Sequence, residues 1–240
     1  MTKRRDSRER IEAQIIALGR RHLVEHGAAG LSLRAIARDL GMVSSAVYRY
    51  VSSRDELLTL LLIDAYSELA DVVDLAREAV PYVWSEEVVA IAHAVRTWAV
   101  THPAGWALLY GSPVPGYHAP AEQTVGPGTR VIGAIFDAVA AGITTGDITL
   151  TNHQAPQPIS SDFERIRHEF GFPGDDSVIA KCFAIWAGVL GAINLEVFGQ
   201  YGADTLSDVR TVFDTQVRLL LGMLTHPDAQ VAPFRVTTQD

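Results

Sequence analysis

The sequence predicts an all-α protein of two parts, and three observations lead there. Apolar residues recur at helical spacing through almost every segment, while no strand-like alternation, tandem repeat or low-complexity tract is found. Of 240 residues, 48% are hydrophobic and 20% charged, an ordinary globular balance that sets aside disordered and fibrous classes. The charge is divided unevenly along the chain. Residues 1–54 carry eleven basic and five acidic side chains, a balance of +6, and the other 186 carry nine and 23, a balance of −14. A short basic module (1–54) is therefore expected ahead of a larger acidic helical domain (55–240), with a solvated charged helix as the plainer reading of the same split.

Taken in order, the elements follow from local signals. Ile11, Ile15, Leu18 and His22, flanked by Ile16 and Leu23, form one stripe of a first helix that Gly27 can end. Ser32 can cap a second helix with Leu33, Ile36, Ala37 and Leu40 inward, stopped by Gly41. A third segment, Ser44 to Val51, turns Val47, Tyr50 and Val51 one way and Ser44, Ser45, Tyr48 and Arg49 the other. Ser53 to Glu56 reads S-x-x-E, a capping box for a fourth helix of about 54–79 that joins the two parts and cannot run past Pro81. Further helices are expected at Glu86 to His102, Trp106 to Tyr110, Pro127 to Gly142, Asp162 to Phe170, Ser177 to Phe198 and Ser207 to Leu224. Pro127, after Gly126, suits a first helical position. Gly111 to Ala121 and Thr144 to Pro158 read as loops, and the last dozen residues as a loose tail.

Compartment signals are consistent with a soluble, cytoplasmic chain. Cys182 stands alone and can form no internal disulfide, and Met1 to Arg10 is charged and lacks the apolar core of a secretory signal. Cys182 to Leu195, the longest strongly apolar stretch without a charge, has 14 residues against the roughly 18 a spanning helix needs. The uncharged span from Thr97 to Ala121 is broken by Pro103, Pro113, Pro115 and Pro120.

Two short helices joined at a glycine turn, directly after a longer helix, fit a helix-turn-helix, whose second helix enters the major groove of DNA. The run Ser32-Leu33-Arg34-Ala35-Ile36-Ala37-Arg38-Asp39-Leu40-Gly41, followed by Val47-Tyr48-Arg49-Tyr50-Val51-Ser52-Ser53-Arg54-Asp55-Glu56-Leu57, resembles the TetR/AcrR family of transcriptional regulators. The resemblance spans roughly residues 10 to 62. It departs at Val51, where the family usually has Phe, and at Val43, where it usually has a small hydroxyl residue. It implies double-stranded DNA as partner, with Tyr48 and Arg54 on phosphates, Ser32 and Arg34 anchoring the second helix on the backbone, and Ser44, Ser45, Ala46 and Arg49 toward bases. Arg49 can read guanine through a two-pronged bond or rest on a phosphate. Lys3, Arg4 and Arg5 can form a minor-groove arm or a nonspecific basic tail.

His22-Leu23-Val24-Glu25-His26 spells H-x-x-E-H, an inverted zincin pattern, but such a site also needs a third ligand and an open cleft. No nucleophile elbow, dinucleotide fingerprint or phosphate loop occurs, so no enzyme, metal or cofactor is expected.

The acidic part carries Trp98, Trp106, Tyr110, Phe136, Phe183 and Trp186, either plain core or the wall of a pocket for an apolar or aromatic effector. Trp186 to Gly191 is similar to a Trp-x-x-x-His-Gly signature of one ligand-domain class in the family, with Leu190 in place of His. Small residues Ala184, Gly188, Gly191 and Ala192 allow close helix approach. By resemblance, the last two helices would pair two copies into a homodimeric four-helix bundle. The expected function is a sequence-specific regulator, a ligand-released repressor acting as a homodimer on a pseudopalindromic operator. The alternatives are a helical dimer whose basic N-terminus binds a protein or membrane surface, and an H-x-x-E-H zinc hydrolase.

Overall fold

A computed structural model describes residues 2–225, and among these it contains ten α-helices and no strand. The N-terminal module comprises α1 (Thr2–His26), a 3-10 turn (Ala28–Gly30), α2 (Leu33–Asp39) and α3 (Ser44–Val47). The larger part follows with α4 (Arg54–Glu78), α5 (Trp84–Thr101), α6 (Pro103–Tyr110), α7 (Ala121–Thr145), α8 (Ile159–Phe170), α9 (Asp176–Val197) and α10 (Val209–Thr225).

Three boundaries differ from those read in the sequence, each for a local reason. Helix α1 begins nine residues before Ile11 because its polar start is held by i, i+4 pairs, Arg5–Glu9 at 2.8 Å and Arg8–Glu12 at 2.7 Å, with the Arg8 guanidinium also 5.7 Å from the Tyr50 ring centre. Helix α7 begins at Ala121, so Pro127 lies inside it and not at its first position. Pro127 removes one bond from an exposed first part of the helix, where water can take the freed carbonyl. Helix α3 is α-helical only to Val47, and the chain tightens into i, i+3 bonds, Arg49 N to Ala46 O at 3.3 Å and Tyr50 N to Val47 O at 2.9 Å, before reaching Val51.

Two apolar cores form. Ile15, Leu23, Ile36, Val47 and Val51 pack with Leu57, Leu58 and Leu61 from the first half of α4. Ala65, Leu69 and Val73, from its second half, belong to the larger core with Val95, Trp106, Phe136, Ile179 and Phe213. The two cores thus part within α4, between Leu61 and Ala65. One rigid helix contributes to both cores.

Helix α9 is long and apolar enough to cross a membrane by length and composition alone, with a mean hydropathy of 1.8 over its best window. Its side chains explain that composition otherwise. Val178, Ile179, Cys182, Ile185, Val189 and Ile193 are buried in the core, and Glu196 at its end pairs with Arg96 at 2.5 Å. Cys182 is fully buried, which pushes its thiol up to about 12. Gly188 lets α10 approach, since a β-carbon there would stand 2.6 Å from Leu220 Cδ1.

Asp175 and Asp176 fasten the 146–158 loop to the start of α9. Asp175 accepts Val178 N at 2.9 Å as the helix cap, and also Thr151 N at 2.7 Å and Asn152 N at 2.8 Å. Buried Asp176 accepts Arg167 Nη1 at 2.6 Å and Ala155 N at 2.9 Å. The Arg167 bond holds its carboxyl down at about 2.

Candidate nucleic-acid interface and domain junction

The reading surface is produced by what the module buries. Leu33, Ile36 and Ala37 face inward on α2, which leaves Arg34 and Arg38 outside. Ser32 Oγ accepts Ala35 N at 3.4 Å as the cap. Gly41 has φ +66°, a left-handed turn that a side chain would strain, and it closes α2 through Gly41 N to Arg38 O at 3.0 Å. Val43 then runs extended into α3 without a side-chain cap. Val47 and Val51, both with no exposure, plug this segment into the core. Ser45, Tyr48 and Arg49 are consequently exposed, with Ser44 and Ala46 half-buried. Arg5, Arg8 and Arg21 are committed to carboxylates, whereas Arg34 and Arg49 make no ion pair among the described residues. Uncommitted guanidinium groups beside short hydroxyls are what base edges and phosphates require.

Four expected contacts stand apart from this surface: Lys3, Arg4, Arg5 and Arg54. The side chains of Lys3 and Arg4 lie outside the described residues. The backbone from Thr2 is helical, however, so this segment continues α1 in place of an extended arm, and Arg5 pairs with Glu9. Arg54 is half-buried and turned inward, donating Nη2 to Ala28 O at 2.9 Å and to Ala29 O at 3.4 Å. It ties the start of α4 to the turn after α1. The Ser53 cap beside it is formed, with Ser53 Oγ accepting Glu56 N at 3.0 Å, but Glu56 Oε2 accepts Ser52 N at 2.6 Å and not the Ser53 N that a full capping box would use.

The H-x-x-E-H string has a structural use. His22 is buried with Nε2 2.8 Å from Asp39 Oδ2, the same oxygen that Arg21 Nη2 reaches at 2.8 Å, so α1 is clamped to the end of α2. The His22 bond, followed by Arg21, holds the Asp39 carboxyl below the usual range. His26 is exposed at the helix end, its ring edge-on to His22.

The six aromatic residues of the larger part fall into separate groups. Tyr110 contacts Trp106, Trp186 and Tyr66 of α4, at ring separations of 4.5, 6.1 and 6.3 Å. Trp106 is fully buried and its Nε1 donates to Asn194 Oδ1 at 2.8 Å. Phe136 packs on Phe170, Phe172 and Phe183, and Phe183 stacks on Phe163 with 42% exposure. Trp98 is buried against His102. Only Tyr110 of the six lines a surface cleft of about 730 Å³. That cleft lies between the two parts: the end of α1 from Leu23 to Ala28, helix α6, the loop from Gly111 to Val114, and Asn194 and Phe198 at the end of α9.

Of the small residues on α9, Ala184 and Gly191 are exposed, Gly188 packs on Leu220 of its own chain, and Ala192 is buried in the core. The exposed face continues with Ala187 and Leu195 and, on α10, Leu219.

Two family models match: "Bacterial regulatory proteins, tetR family" over residues 15–61, and "Tetracyclin repressor-like, C-terminal domain" over residues 88–220. The chain belongs to the TetR family. Curated relatives include the HTH-type transcriptional regulators Mb1846 of Mycobacterium bovis and Rv1816 of Mycobacterium tuberculosis. Each is 73% identical over 223 residues, covering 92% of this chain and 95% of the relative. Among solved structures, the regulatory protein SCO4313 has a TM-score of 0.73 at 30% identity, covering 91% of this chain and 98% of that one. FadR of Bacillus subtilis, solved with stearoyl-CoA, has a TM-score of 0.62 at 12% identity over 88% of this chain and 98% of that one, and so shares the fold. The chain is thus a DNA-binding transcriptional regulator of the TetR family, and these relatives are regulators, not enzymes.

Sequence reading missed one tie between the parts. Tyr117, in the glycine- and proline-rich loop after α6, places its hydroxyl 2.9 Å from Thr59 Oγ1 on α4. Nothing local marks that tyrosine, because the loop has no periodicity and its partner lies 58 residues away.

Proposed function

We propose that the protein is a homodimeric repressor that binds a pseudopalindromic operator and is released by a small apolar or aromatic effector. The observation that carries this reading is the exposed Ser45, Tyr48 and Arg49 face on a segment too short to read more than a few base pairs. Two such segments held at a fixed spacing give useful specificity. Ala184, Ala187, Gly191 and Leu195, with Leu219 at 71% exposure, are exposed among the described residues, which supports pairing through α9 and α10. Release is supported by α4, which starts beside the reading segment and meets the Tyr110 aromatic group through Tyr66. An effector with higher affinity for the DNA-free arrangement, by about 1–3 kcal/mol, would weaken operator binding roughly 5- to 150-fold.

Selection of duplexes from a random pool tests the reading. The selected sites should show two-fold symmetry and bind two protomers per duplex by sedimentation. Arg49→Ala should cost about 1–3 kcal/mol, concentrated at one position in each half-site. Asymmetric sites bound by single protomers would overturn the dimer. A loss spread evenly over all sequences would make Arg49 a phosphate contact.

A further inference from the structure

The cleft between the two parts is not explained by core packing or by DNA recognition. Its volume of about 730 Å³ is within the range of small-molecule sites. None of its fourteen lining residues carries a charge, so an ionic ligand would give up hydration there without a counter-charge. Its apolar surface includes Val24, 73% exposed, and Phe198, 43% exposed, together with Leu108. Polar groups come from Tyr110, Ser112 and Asn194. The Asn194 amide is oriented because its Oδ1 accepts the Trp106 indole N–H, which leaves its NH2 to donate. The Tyr110 hydroxyl makes no hydrogen bond among the described residues, and burial raises its pKa, keeping it a protonated donor. Polar and apolar surface thus line the cleft in about equal measure, with two side-chain donors among the polar groups.

We propose that this cleft binds an uncharged, amphipathic molecule carrying a carbonyl-type acceptor, and that its occupant couples to DNA binding because both parts of the protein form its walls. Leu23 belongs to the core of the N-terminal module, against which Ala104, Leu108 and Val114 also pack, whereas Tyr110 packs on the larger core and Asn194 is bonded to Trp106 within it. A bound molecule would therefore favour one orientation of the module over others. The binding itself does not depend on the repressor reading; only the coupling rests on it.

Nile red, uncharged and carrying a ring carbonyl, is the probe, used with the full-length protein. Its emission should rise to saturation at one dye per protomer, while the anionic dye anilinonaphthalene sulfonate should bind at least tenfold more weakly. Val24→Trp fills the cleft from an exposed position and should weaken Nile red tenfold or more at an unchanged melting temperature. Tyr110→Phe, which removes only the hydroxyl, should weaken it about 2- to 10-fold. Saturating operator should change the dye affinity at least threefold. Wild-type dye affinity in Val24→Trp overturns the site, and equal or tighter binding of the anionic dye overturns the ligand class. A cleft that Val24→Trp blocks but that operator does not affect overturns the coupling. Normal operator binding alongside a failed dye test leaves the regulator reading intact.

Discussion

Replacing Arg54 with alanine separates two roles for one guanidinium. Its Nη2 donates to Ala28 O at 2.9 Å and, at the long distance of 3.4 Å, to Ala29 O. A hydrogen bond from a charged donor contributes about 1.5–3 kcal/mol, and the longer contact adds little. The side chain is 34% exposed and Ala29 is at the surface, so water recovers part of the loss and about 1–2 kcal/mol remains. For a chain of this size that lowers the melting temperature by roughly 2–8 °C. Thermal unfolding by circular dichroism reads the first role, and the salt dependence of affinity for any duplex reads the second. A variant that melts with the wild type would refute the tie between α4 and the turn. Lost stability with an unaltered salt slope would remove Arg54 from the phosphate contacts that family resemblance implies, and a slope flatter by about one unit would keep it there.

Gly188→Leu should lower the melting temperature through a clash with Leu220 in the same chain, at about 1–3 kcal/mol, so a fall that vanishes on dilution to monomer would contradict that packing. The Asp176 carboxyl, held at about 2 by Arg167, titrates below its unfolded value of about 3.9. Its stabilisation is present above about pH 4 and fades as pH falls toward 2, so Asp176→Asn should be less stable than wild type at pH 5 with the gap narrowing by pH 3. Urea midpoints across that interval check it, and a constant gap would refute the linkage.

The helix-turn-helix was legible because each boundary has a local cause: the Ser32 and Ser53 caps, the Gly41 turn, and Val47 and Val51 at the spacing that buries them. The start of α1 was not, since ion pairs between polar residues leave no apolar period. Pro127 misled because a proline's preference for a first turn says nothing of solvent ready to satisfy a later one. Periodicity puts Trp106 and Phe136 inside the larger part, but whether a buried ring meets another ring or a ligand depends on neighbours far along the chain. The junction cleft is beyond local reading for the same reason, being assembled from segments between Leu23 and Gln200.

Cys182 makes the protein convenient for distance measurements. It is the only cysteine in the chain, it has no exposure, and its thiol ionises only near 12, so maleimide and methanethiosulfonate reagents find almost no thiolate to attack at neutral pH. A cysteine introduced at Ser45, which is exposed on the reading segment, would be modified selectively without first removing the native one. If two copies pair as proposed, spin labels placed there would report the spacing of the two segments by electron resonance, free, on duplex DNA and with a molecule in the cleft.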